Sequence, residues 1–119
     1  MLLHRGDIVL VPFPFTDLSS KKVRPALIIS PNPQQEDVIL VFISSVISPY
    51  PSRFDYLLEE KNPAFLATGL KVPSVFKMRK ILTLSRTQIL RYLGHTIPSL
   101  QLEIDKRILI AVGLEDMNS

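Results

Sequence analysis

Asp7-Ile-Val-Leu-Val-Pro-Phe13, Ala26-Leu-Ile-Ile-Ser30 and Val38-Ile-Leu-Val-Phe-Ile-Ser44 are three short apolar runs separated by turn-forming residues. Their β-branched and aromatic content predicts strands, and their apolar character on both alternating faces predicts burial on both sides. Pro31-Asn-Pro-Gln-Gln-Glu-Asp37 reads as a tight connection between the second and third strands. Phe13 to Val23 is a polar loop that delivers the chain to Arg24-Pro25. Beyond Ser44, Pro49 and Pro51 mark a loop, and Arg53 to Leu58 is expected as a fourth strand with Phe54, Tyr56 and Leu58 on one face. A short helical turn is expected to end at Gly69. Further strands are expected over Val72 to Met78 and Ile81 to Ser85, on either side of the basic tetrad Lys77-Met-Arg-Lys80, while Gln88 to Leu93 suits either strand or helix. Leu100, Ile104, Ile108 and Ala111 recur at helical spacing, so a helix is predicted from Leu100 to Val112, with Ser99 as its N-cap, Gly113 as its stop and a Glu103–Arg107 pair on its wet side.

Short strands followed by one terminal helix predict a small, strongly bent antiparallel sheet or barrel with the helix packed on it. At 119 residues, a single domain spanning 1–119 is expected, and 46% hydrophobic content is enough to build one core. An antiparallel sheet ordinarily leaves one face wet. Strands apolar on both faces in so short a chain therefore call for a second covering surface, and a homodimer is expected to supply it.

Composition removes several function classes. The chain has no cysteine, which excludes thiol catalysis, thiolate metal sites and disulfides, and its two histidines cannot make an all-histidine zinc site. Its four glycines are scattered, so no phosphate-binding glycine loop exists, and no His-Glu-x-x-His or Gly-x-Ser-x-Gly motif is present. The longest aliphatic and aromatic run, Val38 to Ile43, is far below the ~20 residues of a membrane helix. The opening residues lack the basic and apolar regions of a signal peptide, so a cytoplasmic protein without membrane contact is expected.

What remains is a pattern of cations and hydroxyls. From Lys61 to Leu102 there are seven basic residues and no acidic one, a candidate track for a polyanion unless acids from elsewhere in the chain neutralise it in space. Arg24 follows a loop carrying Ser19, Ser20, Lys21 and Lys22; Ser44 and Ser45 end the third strand; and Lys77, Arg79 and Lys80 crowd another strand end. Should these ends share one rim, guanidinium, ammonium and hydroxyl groups would surround a point suited to a phosphate. The competing reading of Arg24 is a structural ion pair with an acid such as Asp7.

Arg5-Gly6-Asp7-Ile-Val-Leu-Val-Pro12 followed by Lys22-Val-Arg24-Pro-Ala-Leu-Ile-Ile-Ser30 resembles the opening of the MazF/PemK toxin family. The likeness continues through Gly69-Leu-Lys-Val-Pro-Ser-Val-Phe76, Leu82-Thr-Leu-Ser85 and Arg91-Tyr-Leu-Gly94. The resemblance implies a small SH3-like barrel of the MazF/CcdB type, mainly β with a C-terminal helix, acting as a homodimer. It implies an endoribonuclease toxin that cuts single-stranded RNA without metal or other cofactor and is restrained by a cognate antitoxin. It also implies that Arg24 is catalytic, that Ser44 assists it with Ser45 alongside, and that the loop from Thr16 to Lys22 flanks the site. Lys21, Lys22, Ser19, Ser20, Arg79 and Lys80 are then expected to touch RNA.

The chain departs from the family pattern in two places. Its first loop has no histidine, and Lys77-Met-Arg79 stands where some members carry an Arg-x-Asp pair. Lys77, if desolvated beside Arg79, is the candidate proton acceptor. Two competing functions remain: a CcdB-like inhibitor of DNA gyrase, and a catalytically silent member that binds RNA or a partner.

Overall fold

The computed structural model describes residues 1–12, 22–35 and 37–116. Its strands are β1 (Asp7–Pro12), β2 (Val23–Ile28), β3 (Val38–Ser44), β4 (Tyr56–Leu58), β5 (Ser74–Leu84) and β6 (Arg91–His95), followed by helix α1 (Pro98–Ala111). They form one sheet in the order β4-β5-β3-β2-β1-β6, with every neighbouring pair antiparallel. The sheet curls into a half-barrel with the helix against it.

The curl gives the sheet two cores. Ile8, Leu27, Val41, Ile43, Phe76 and Met78 face α1, whose Leu100 and Ile104 complete that cluster. The opposite face carries Val9, Val11, Ala26, Ile28, Leu40 and Phe42, joined by Leu3 and Ile89. Alternation along each strand assigns neighbours to opposite clusters, as a period of two requires. Burying each large apolar side chain contributes about 1.5–3 kcal/mol. The second cluster is already buried within the single chain, so a partner is not needed to cover it, contrary to the sequence-based argument.

Several element boundaries differ from expectation for identifiable reasons. β2 begins at Val23, three residues before Ala26, because β1 pairs with it from Val23 to Leu27. Its pairing with β3 starts only at Ala26. Pro25, which has no N–H to donate, therefore lies where β2 has one neighbour. β4 is limited to Tyr56–Leu58, since the Asp55 N–H donates to the Ser52 carbonyl (3.1 Å) and folds the preceding residues into a turn. The two strands expected after residue 72 are one, β5, interrupted by a bulge. α1 starts at Pro98 with Ile97 as N-cap and no side-chain cap; proline at the first turn forfeits no helical hydrogen bond, and Ser99 lies inside the helix. Glu103 pairs with Lys106 (3.6 Å) in place of Arg107, whose guanidinium lies 5.1 Å from the centre of the Tyr56 ring.

Candidate active site

The pairing of Ala26 with Phe42 sets the geometry of the site. Continued two residues in the same register, it brings Arg24 opposite Ser44, just past the last bonded pair and on the same face as Ala26 and Phe42. Phe42 also pairs with Lys77 across the other edge of β3. Arg24, Ser44 and Lys77 thus come from three adjacent strands onto one face at one end of the sheet.

Lys80 joins them by way of the bulge. Val41 pairs with Ile81 and Phe42 with Lys77, so three β5 residues lie between partners that are consecutive on β3. In regular alternation, Lys77 and Lys80 would point to opposite faces. The bulge reverses the alternation, which is also why Met78 packs in the helix-side cluster while Leu82, four residues later, packs in the other. Arg24, Phe42, Ile43, Ser44, Lys77 and Lys80 line a small pocket of about 60 Å³. That is about the volume of two water molecules.

A larger cleft of about 520 Å³ adjoins this pocket, sharing Arg24 and Ser44 and adding Ser45, Lys71, Arg91 and the Gly69 backbone. Arg91 enters through its pairing with Leu10 on β1. The far wall, Gly69 to Val72, is held by direct backbone contact with β6. A Cβ on Gly69 would stand 2.0 Å from the Leu93 carbonyl oxygen, and one on Gly94 would stand 2.3 Å from that of Ala67. Gly69 also has a φ of +72°, the left-handed conformation that ends the 3-10 turn Leu66–Thr68.

Individual contacts define the electrostatics. Arg24 is half-buried, and its guanidinium donates to the Val23 carbonyl (3.0 Å). Ser44 Oγ accepts from the Val46 N–H (3.1 Å), which turns the chain at the end of β3. Lys77 Nζ lies 4.0 Å from Asp55 Oδ2, a carboxylate supplied by the turn before β4. Arg79 stands apart from the pocket, its guanidinium 5.0 Å from the centre of the Phe54 ring.

Of the residues expected at the site, Arg24, Ser44, Ser45, Lys77 and Lys80 meet at these two connected hollows. Lys22 and Arg79 line neither. Thr16, Ser19, Ser20 and Lys21 lie outside the described residues. Lys71, Arg91 and Asp55 were not singled out from sequence; the basic stretch after Lys61 contains the first two, whereas Asp55 carries no signal because its partner is 22 positions away.

The structural-pair reading of Arg24 with Asp7 does not hold. Arg24 pairs with Val11, near the far end of β1, while Asp7 accepts from the His4 N–H (2.7 Å) and lies 3.7 Å from His4 Nδ1. His95 also belongs to that distant end, where its Nδ1 is 3.0 Å from the Tyr92 hydroxyl. Among the described residues, no group of three or more histidine, aspartate or glutamate side chains could hold a metal ion, and no helix is long and apolar enough to cross a membrane.

Comparisons agree with this architecture. An endoribonuclease from a mycobacterial species, solved in complex with its cognate antitoxin, superposes with a TM-score of 0.72 at 20% identity, covering 97% of this chain and 99% of that one. MazF from Deinococcus radiodurans gives 0.69 at 22% identity, covering 95% and 98%. The Mycobacterium tuberculosis toxin MazF-mt6 gives 0.70 at 18% identity, covering 92% and 99%. At such identities the likeness establishes the fold. A search of curated proteins found no significant match. The family model for PemK-like, MazF-like toxins of type II toxin–antitoxin systems matches residues 4–112, nearly the whole chain, and the protein therefore belongs to that family.

Proposed function

We propose that this protein is an endoribonuclease that cleaves single-stranded RNA by internal transesterification, as the toxin of a toxin–antitoxin pair. The observation that carries the reading is the convergence of Arg24, Ser44, Lys77 and Lys80 on one pocket at the mouth of a basic-rimmed cleft. Three cations and a hydroxyl around so small a space suit the non-bridging oxygens of a phosphodiester. Family membership and the endoribonuclease neighbours support the same conclusion.

RNA carries its own nucleophile. The 2′-oxygen attacks the adjacent phosphorus, the P–O5′ bond breaks, and the products are a 2′,3′-cyclic phosphate and a 5′-hydroxyl. The 2′-hydroxyl proton passes to solvent, and the departing 5′-oxygen takes one from the protein. Arg24 stabilises the additional negative charge of the transition state through a charge-assisted fork, an effect worth about 3–4 kcal/mol per donor. It is no base, since a guanidinium offers donors and no acceptor for a proton. Ser44 donates to a non-bridging oxygen. Lys77, whose Nζ lies beside the Asp55 carboxylate, donates that proton to the departing 5′-oxygen, in contrast to the accepting role expected from sequence. Ser45, Lys71 and Arg91 line the path of the flanking nucleotides.

The working form is proposed to be a cytoplasmic homodimer that binds a cognate antitoxin. Purified protein incubated with mixed-sequence RNA in EDTA tests the activity: cleavage should persist under chelation, yield cyclic-phosphate ends and fall by about 10²- to 10³-fold in Arg24→Ala. A gyrase inhibitor would leave the RNA intact and keep its toxicity in the same variant.

A further inference from the structure

We propose that Asp55 is a positioning residue of this site, holding the Lys77 ammonium at the phosphate pocket; the inference rests on the nuclease reading above. Three like charges, Arg24, Lys77 and Lys80, line one hollow of about 60 Å³. Lysine is flexible, and a strongly hydrated ammonium favours swinging into bulk water when no phosphate is bound. Asp55 opposes that movement. Its Oδ2 lies 4.0 Å from Nζ, the Asp55 side chain is 12% exposed and that of Lys77 27%. Both side chains are largely withdrawn from water, so salt screens this pair less than one on the open surface.

The turn that carries the carboxylate is itself held at two points. The Asp55 backbone N–H donates to the Ser52 carbonyl. The preceding Phe54 ring is flanked by the guanidiniums of Arg53 and Arg79, at 5.2 and 5.0 Å. Arg79 therefore serves to anchor the turn that carries Asp55, which accounts for a cation in the basic tetrad that does not reach the pocket. Asp55 does not line the pocket and Lys77 does, so the carboxylate acts through the lysine and does not touch RNA.

A double-mutant cycle in cleavage tests this. Mixed-sequence single-stranded RNA in EDTA first locates a cut site, and an oligonucleotide spanning that site then gives kcat and KM for wild type, Asp55→Asn, Lys77→Met, the double variant and Arg24→Ala. Thermal midpoints verify folding. Asp55→Asn should lower kcat by about 10- to 100-fold, the scale of a misplaced reacting group, with KM changed by less than about threefold. Added to Lys77→Met, it should change kcat by no more than about twofold, since the effect travels through the lysine. The proposal is overturned if folded Asp55→Asn cleaves at the wild-type rate, if Lys77→Met does so, or if the double variant loses the product of the two single losses. Cleavage by Arg24→Ala at the wild-type rate, or none by wild type, removes the nuclease reading and Asp55's role with it. A strongly impaired Arg24→Ala beside a fully active Asp55→Asn removes the role of Asp55 alone.

Discussion

Gly94→Ala probes the contact that builds the cleft wall. A Cβ at this position would lie 2.3 Å from the Ala67 carbonyl oxygen, 2.4 Å from the Thr68 carbonyl carbon and 2.5 Å from the Thr68 oxygen. Real Cβ contacts essentially never fall below 3.0 Å, so the 3-10 turn and β6 must separate by at least 0.7 Å (3.0 minus 2.3). The obstructing atoms are backbone and cannot rotate away. Overpacking costs about 1–3 kcal/mol, and a backbone clash belongs at the upper end. At roughly 4 °C per kcal/mol for a domain of this size, the midpoint should fall by about 12 °C. Gly113→Ala is the control: its φ of +81° carries conformational strain, but nothing lies within 4 Å of the added Cβ. That change should cost only about 1 kcal/mol. Calorimetry and urea titration of both variants measure the difference. The Gly94 variant should also cleave RNA more slowly, because the displaced turn leads directly into the wall from Gly69 to Val72. A Gly94→Ala protein that melts within about 2 °C of wild type, or no lower than Gly113→Ala, refutes the backbone-contact argument.

Arg24→Ala should reduce cleavage by about 10²- to 10³-fold, with circular dichroism showing an intact fold, and Arg24→Lys should not restore the rate because an ammonium lacks the planar fork. Ser44→Ala should cost about 10- to 100-fold in kcat, the worth of one hydrogen bond to a charged group at roughly 1.5–3 kcal/mol. Phe76→Ala, which empties a fully buried position and removes the edge-on contact with Tyr56 at 6.5 Å, should destabilise the fold by about 3–5 kcal/mol in urea unfolding. Binding of a 2′-O-methyl single-stranded RNA, followed by fluorescence anisotropy, should weaken log-linearly with salt. Lys71→Ala and Arg91→Ala should each reduce that slope by about 0.7; unchanged slopes would place the RNA elsewhere.

The strand pattern was readable from residue order. β3 occupies the predicted Val38 to Ser44, β1 begins at the predicted Asp7, and Gly69 ends its turn, because alternation and turn chemistry act between near neighbours in sequence. Arg24 and Ser44 were candidates from the pattern of cations and hydroxyls, the resemblance implied their roles, and their closeness follows once β2 and β3 are paired in register. Other features depend on where distant segments meet. Pairing with β1 extends β2 back through Pro25, against the local expectation that proline precedes the strand. The second apolar face looked as though it needed a partner, yet the curl of the sheet closes it within one chain.

The composition of the chemical centre depended still more on tertiary structure. Alternation by itself would send Lys77 and Lys80 to opposite faces, and only the pairing of β5 with β3 reveals the three-residue offset that reunites them. Asp55 finds Lys77 because β4 lies beside β5 at the sheet's edge. Residue order alone indicated where most strands and the terminal helix lie, the chemical types available and the family. Which charges share a pocket, and which carboxylate steadies them, was decided by long-range pairing, since Coulomb forces and hydrogen bonds act across space with no regard for separation along the chain.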